Sequence, residues 1–81
     1  MVMRQVLRQA MQNPEEWVVS LEYCDSKGVR TRRIVSPIRF LGGDRFLALC
    51  LCRAEPRQFY LDRCGDFHLQ PAAEFVMPVA M

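Results

Sequence analysis

The sequence predicts a mainly β fold: one N-terminal helix followed by five short antiparallel strands. Three observations carry this expectation. Residues 2–12 place apolar side chains at helical spacing. Beyond Pro14 come short runs that alternate apolar and polar residues or are almost wholly apolar. Between those runs stand compact turn clusters, too short for the crossovers that parallel strands require.

Taken in order, Met3, Leu7, Ala10 and Met11 share one stripe of a helix over 2–12, with Val2 and Val6 beside it and Gln5, Gln9 and Gln12 turned away. Asn13-Pro14 ends the helix, because a residue before proline avoids the helical region and proline has no N–H to donate. The stripe is expected to pack on the sheet; offering its methionines to a partner chain is the alternative. Residues 17–25, WVVSLEYCD, alternate as a strand. Asp25-Ser26-Lys27-Gly28 is hairpin chemistry, with Gly28 placed for a positive φ. Residues 29–36, VRTRRIVS, return as an arginine-rich strand, and Pro37 marks a strand end or an edge. After the turn Leu41-Gly42-Gly43-Asp44, residues 45–53, RFLALCLCR, read as the most apolar strand, buried on both faces or nearly so. Ala54-Glu55-Pro56 turns the chain into a fourth strand over 57–63, and Cys64-Gly65-Asp66 leads to a short fifth over 66–70. The tail 71–81 has two prolines and no clear period. An antiparallel meander of this size closes most easily as an SH3- or Sm-like barrel with the helix capping one end. An open sheet with a helix on one face is the alternative.

The 81 residues form one expected domain, 1–81. A chain of this size buries roughly 60–65 % of its unfolded surface, enough for a thin core. The apolar fraction of 51 % argues against disorder. No apolar run approaches the ~18–20 residues needed to cross a bilayer. The N-terminus is interrupted by Arg4 and Arg8 and lacks the continuous apolar centre of a signal peptide, so a cytoplasmic protein without membrane partners is expected. So short a chain leaves little room for an enclosed catalytic cleft.

The net charge of +2 is unevenly spread. Residues 1–25 and 64–81 are each net acidic. The middle carries Lys27, Arg30, Arg32, Arg33, Arg39, Arg45, Arg53, Arg57 and Arg63 against Asp44, Glu55 and Asp62. All of the 11 basic residues but Lys27 are Arg, the side chain suited to planar contacts with phosphate or carboxylate and to stacking on rings. The four cysteines, Cys24, Cys50, Cys52 and Cys64, include no C-x-x-C knuckle, and His68 is the one histidine. They read as small buried side chains; no metal and no cofactor are expected.

The ordered spacings resemble the WYL domain, a bacterial ligand-sensing module with an Sm/SH3-like barrel. The similarity runs over residues ~8–70. It is carried by the helix end Arg8-Gln9-Ala10-Met11, the strand end Leu21-Glu22-Tyr23, and Arg33-Ile34-Val35-Ser36-Pro37 for the family's Arg-x-Val-x-Pro. Arg57-Gln58-Phe59-Tyr60-Leu61-Asp62-Arg63 matches the closing Arg-x-Phe-x-Leu-Asp-Arg and is the most specific part. The tripeptide that names the family falls on Arg45-Phe46-Leu47, where Arg45 replaces Trp and Phe46 keeps an aromatic ring. Family members usually follow a DNA-binding helix-turn-helix and precede a C-terminal extension, so a free-standing domain or an excised fragment is expected.

The resemblance implies a non-catalytic regulatory module in bacterial transcription that binds nucleic acid or a nucleotide-derived anionic ligand and acts on a DNA-binding regulator. The residues permit it. Arg33, Arg57 and Arg63 come from two strands near their ends, and Tyr23, Phe46 and Tyr60 supply rings near them. Guanidinium groups on phosphates and rings under bases are what single-stranded nucleic acid requires, a stacked base contributing ~1–3 kcal/mol. One difficulty is parity: Arg57 and Arg63 alternate in phase with Phe59 and Leu61, which read as core. The arginines escape at the strand ends, or a bulge flips one, or one is buried against a carboxylate such as Asp62 or Glu22. The competing function is a protein-interaction or dimerisation module using an edge strand or the helix. No catalytic residues are expected: His68 has no nucleophile at a suggestive spacing, no carboxylate pair is set for acid–base work, and Gly42-Gly43 is only a turn.

Overall fold

The computed structural model describes residues 3–51 and 54–74. Helix α1 spans Met3–Gln12, followed by β1 (Trp17–Cys24), β2 (Arg30–Leu41), β3 (Arg45–Cys50), β4 (Glu55–Tyr60) and β5 (Cys64–Pro71). Short 3-10 turns follow at Leu61–Arg63 and Ala72–Glu74. The strands form one antiparallel sheet in the order β4-β3-β2-β1-β5. The meander therefore holds for four strands and breaks at the fifth, which crosses to the far side and pairs with β1. The arrangement is of the SH3/Sm-like kind expected, but its ladder is not closed into a barrel.

Helix α1 buries the predicted stripe, with Leu7 and Ala10 at 0 % exposure and Val6 beside them. Met3 and Met11 pack at its margin, and the helix lies against β1, β2 and β5. Burying a side chain such as Leu7 stabilises by about 1.5–3 kcal/mol. Val2 lies outside the described residues. After the helix, the Asn13 carbonyl accepts from both Glu16 N and Trp17 N at 3.0 Å, turning the chain directly into β1.

The most deeply buried strand is β1, not β3. Val18, Val19, Ser20 and Leu21 are all buried, on both faces of the strand, because β1 is flanked by β2 and β5 and lies under α1. β3 instead alternates, burying Phe46, Ala48 and Cys50 while Arg45, Leu47 and Leu49 stay half-exposed. It ends at Cys50, and Cys52 and Arg53 lie outside the described residues.

Pro37 does not end β2. The strand runs on to Leu41, and the register to β3 slips between Pro37 and Arg39. A bulge accommodates a residue that cannot donate to the ladder and bends the strand there. The first half of β2 pairs with β1 and the second with β3, with Val35 opposite both Val19 and Cys50. That bend gives the sheet its curl. Its concave side is filled by Val19, Leu21, Val35, Phe46, Ala48, Phe59 and Leu61 together with the helix stripe.

The fourth strand begins two residues early and stops at Tyr60; residues 61–63 are a 3-10 turn rather than strand. Leu61 N donates to Asp44 O at 2.9 Å, tying this turn to the β2–β3 connection, and the Leu61 side chain is buried. The parity difficulty dissolves here. Arg57 and Phe59 share the concave face of β4, Leu61 stays inward in the turn, and Arg63 emerges exposed at its end. In the tail expected over 71–81, Pro71 completes β5 and Ala72–Glu74 form a short 3-10 turn; residues 75–81 lie outside the described part. No helix among the described residues is long and apolar enough to cross a membrane.

Candidate nucleic-acid interface

Directly paired residues of an antiparallel sheet point to the same side, so register decides which arginines meet. Arg33 on β2 stands opposite Leu21 on β1, and Arg57 on β4 stands opposite Ala48 on β3. Leu21 and Ala48 are core residues at 0 % exposure, so both arginines rise from the concave face. Tyr23, two residues beyond Leu21, shares that face. Tyr23, Asp25, Arg33, Arg57, Gln58 and Phe59 line a groove of about 250 Å³ beside the β1–β2 turn. Helix α1 reaches the opposite end of β2, where Arg4 donates to the Gly43 carbonyl.

Two local devices hold the groove. Asp25 Oδ1 accepts the backbone N–H groups of Lys27 at 2.8 Å and Val29 at 2.9 Å, while Gly28 takes a φ of 82°. This closes the hairpin and engages the one carboxylate in the groove with backbone donors. Arg33 Nε donates to Thr31 Oγ1 at 3.1 Å, which steers the guanidinium along β2. Neither Arg33 nor Arg57 makes an ion pair among the described residues. Under them, the Tyr23 ring meets Phe59 edge-on at 5.3 Å.

The remaining expected residues lie elsewhere. Phe46 is fully buried and stacks on Phe59 at 5.4 Å, so its ring is core and faces no groove. It was expected beside a ligand because it occupies the aromatic position of the tripeptide, but its partner across β4 is Phe59, and both point inward. Tyr60 is paired with Arg45 and lies on the other face of β4, 41 % exposed. The Arg63 guanidinium sits 5.5 Å from the Tyr60 ring centre and that of Arg45 6.0 Å. Arg63 forms no ion pair among the described residues, so burial against Asp62 or Glu22 is not its arrangement. Thus Tyr23, Arg33 and Arg57 are brought together, Tyr60 and Arg63 form a second group, and Phe46 joins neither. Thr31 adjoins the groove as the i−2 neighbour of Arg33 and Asp25 as the i+2 neighbour of Tyr23, a period-2 relation legible in the sequence, whereas Arg45 comes beside Tyr60 only through the β3–β4 register.

The other polar groups are tied up structurally. Arg32 bonds the Asp66 carboxylate and also donates to Ser20 Oγ at 3.2 Å and Asp66 O at 3.0 Å; His68 Nε2 lies 2.8 Å from Asp66 Oδ1. The bonds from Arg32 and His68 hold the Asp66 carboxyl below the usual carboxylate range. Burial, reinforced by the Asp62 charge, pushes the Cys64 thiol up to about 12, and its Sγ donates to Tyr60 O at 3.2 Å. A thiol so poised is a poor nucleophile. Cys24, Cys50 and Cys64 are free, and among the described residues no cluster of His, Cys, Asp or Glu could hold a metal.

Fold and groove together define a small SH3/Sm-like β-domain with two arginines and a tyrosine at the mouth of its curled sheet. No protein-family model matches the chain, and no curated protein sequence matches it. Among solved structures it is similar to proteasome accessory factor B/C (PafBC) of Arthrobacter aurescens, a WYL-domain-containing transcriptional regulator. The two are 27 % identical with a TM-score of 0.60, over 88 % of this chain and 12 % of that one. The chain therefore corresponds to about an eighth of that regulator's length.

Proposed function

We propose that this chain is a WYL-like regulatory module, acting in bacterial transcription, that holds single-stranded nucleic acid or a nucleotide-derived anion in the Tyr23–Arg33–Arg57 groove. The observation that carries the reading is the convergence of two arginines, unpaired among the described residues, from strands that are not neighbours in the sheet, beside one ring. Guanidinium groups take the phosphate oxygens while Tyr23 offers its ring to a base. Likeness to a transcriptional regulator supports a regulatory setting over an enzymatic one, and a cytoplasmic DNA-binding regulator is the natural partner. The raised thiol of Cys64 and the engagement of His68 with Asp66 argue in the same direction.

The test is binding of a single-stranded oligonucleotide as salt is raised. Affinity is expected to fall with a log–log slope of roughly −0.7 per phosphate neutralised. R33A and R57A each weaken binding and flatten that slope without lowering the unfolding midpoint. Binding indifferent to salt and to both substitutions would remove the groove from consideration. A second reading, an assembly module, draws on the two outer strands β4 and β5, which pair with nothing on their far sides among the described residues. A stable dimer in sedimentation that binds no oligonucleotide would favour it.

A further inference from the structure

β4 is an outer strand of the sheet; its concave face carries Arg57 and its outer face Tyr60, which Arg45 of β3 and Arg63 of the following turn flank. Arg57 points into the concave groove. Three residues on, Tyr60 points the other way, exposed, with the guanidinium groups of Arg63 and Arg45 at 5.5 and 6.0 Å from its ring. This second cluster has no core role. Tyr60 is among the few large apolar side chains left exposed, whereas Phe59 beside it is buried. Arg45 is steadied by Gln58 Oε1 at 3.1 Å and by Asp44 at 3.4 Å, and the exposed Arg63 has no carboxylate partner among the described residues. A ring on the outside of an edge strand, flanked by two cations, presents a face for a base and donors for the adjoining phosphates.

We infer that Tyr60, with Arg63 and Arg45, is a second nucleic-acid contact, reached by a single strand that leaves the Tyr23–Arg33–Arg57 groove and passes over the β4 edge onto the outer face of the sheet. The inference rests on the groove reading and adds a footprint to it. One strand must be crossed, and β4 carries no further strand on its outer edge among the described residues. The two platforms lie on opposite faces of a layer, so a very short ligand fills one of them and a longer strand fills both. Single-strand site sizes run from about 4 nucleotides upward.

The experiment compares dithymidylate with octathymidylate on the whole chain, with Y60A, Y60F, R63A and R33A, each checked for an unchanged unfolding midpoint. The octamer is expected to bind more tightly than the dimer. Y60A should weaken the octamer about tenfold or more and leave the dimer unchanged, while Y60F, which keeps the ring, restores octamer binding. R63A should weaken the octamer and flatten its salt slope, and R33A should weaken both ligands. If both lengths bind and R33A weakens both, yet Y60A and R63A change neither, the second contact is overturned and the groove stands. If neither length binds, the groove reading itself fails, and the second contact with it.

Discussion

Tyr23 and Phe59 meet edge-to-face, ring centres 5.3 Å apart at an interplanar angle of 89°, although their strands share no hydrogen bond. β2 and β3 lie between β1 and β4 in the sheet. Contact across that gap requires the sheet to curl until its first and fourth strands face one another. Phe59 also stacks on Phe46 at 5.4 Å, so one ring joins the core to the floor of the candidate groove.

Because Phe59 closes the curl, F59A should cost about 3–5 kcal/mol, the usual range for deleting a buried aromatic side chain. Domains of this size have total stabilities of only about 5–15 kcal/mol, so the variant should be largely or wholly unfolded at modest urea. Y23F, which keeps the ring and its edge contact, should behave as the parent. Urea titration followed by Trp17 fluorescence measures both. A loss below about 1 kcal/mol for F59A would mean that the curl is held by other contacts.

Asp66 provides a pH signature. Its carboxyl is held below the ordinary 3.8 by bonds from Arg32 and His68. A carboxyl with a lower pKa in the folded than in the unfolded state stabilises the fold above its unfolded value. That contribution is lost as pH falls through 3.8 towards the depressed folded value. The acid limb of the stability curve should therefore steepen below about pH 4, and D66N should lose that portion of the slope while keeping its shape at neutral pH. Denaturation midpoints across the acid range for the two proteins decide the matter. Superimposable acid limbs would show that the Arg32–Asp66–His68 network contributes nothing measurable.

Cys64 should be almost inert in the folded chain. Its thiol is half-buried and raised to about 12, so little thiolate exists at neutral or mildly alkaline pH. Alkylation by iodoacetamide at pH 8, read as modified Cys64 peptide by mass spectrometry, should be slow in buffer and fast in denaturing urea. Equal rates in both would contradict the burial that raises the thiol.

Local patterns in the chain were enough for the elements themselves. The helix stripe of Leu7 and Ala10, the strand from Trp17 and the Asp25–Gly28 turn are decided by neighbours a few residues apart, and the structure reproduces them; the alternation read in β1 is lost, because β2, β5 and α1 bury both of its faces. Pro37 misled because its lost donor is a local fact, whereas the bulge that accommodates it depends on β3 lying alongside. The parity of Arg57 through Arg63 leaves three arrangements open in the sequence for a similar reason. The straight strand expected over 57–63 gives way at Leu61 to a 3-10 turn, tied by the bond from Leu61 N to Asp44 O, and Arg63 emerges at its end.

The sequence by itself determined the class of fold, the first two turns and the concentration of arginine in the middle of the chain, all properties of short windows; Cys64-Gly65-Asp66, read as a turn, belongs to β5, and Glu55-Pro56 to β4. Only the tertiary structure decided which arginines share a surface. Arg33 and Arg57 meet because two separate registers, β1 with β2 and β3 with β4, both aim them at the concave face, and because the bend in β2 brings those faces together. Phe46 leaves the site and Tyr60 changes side for the same reason: in a sheet, facing is set by the partner strand, and partners far apart in the chain leave no local mark.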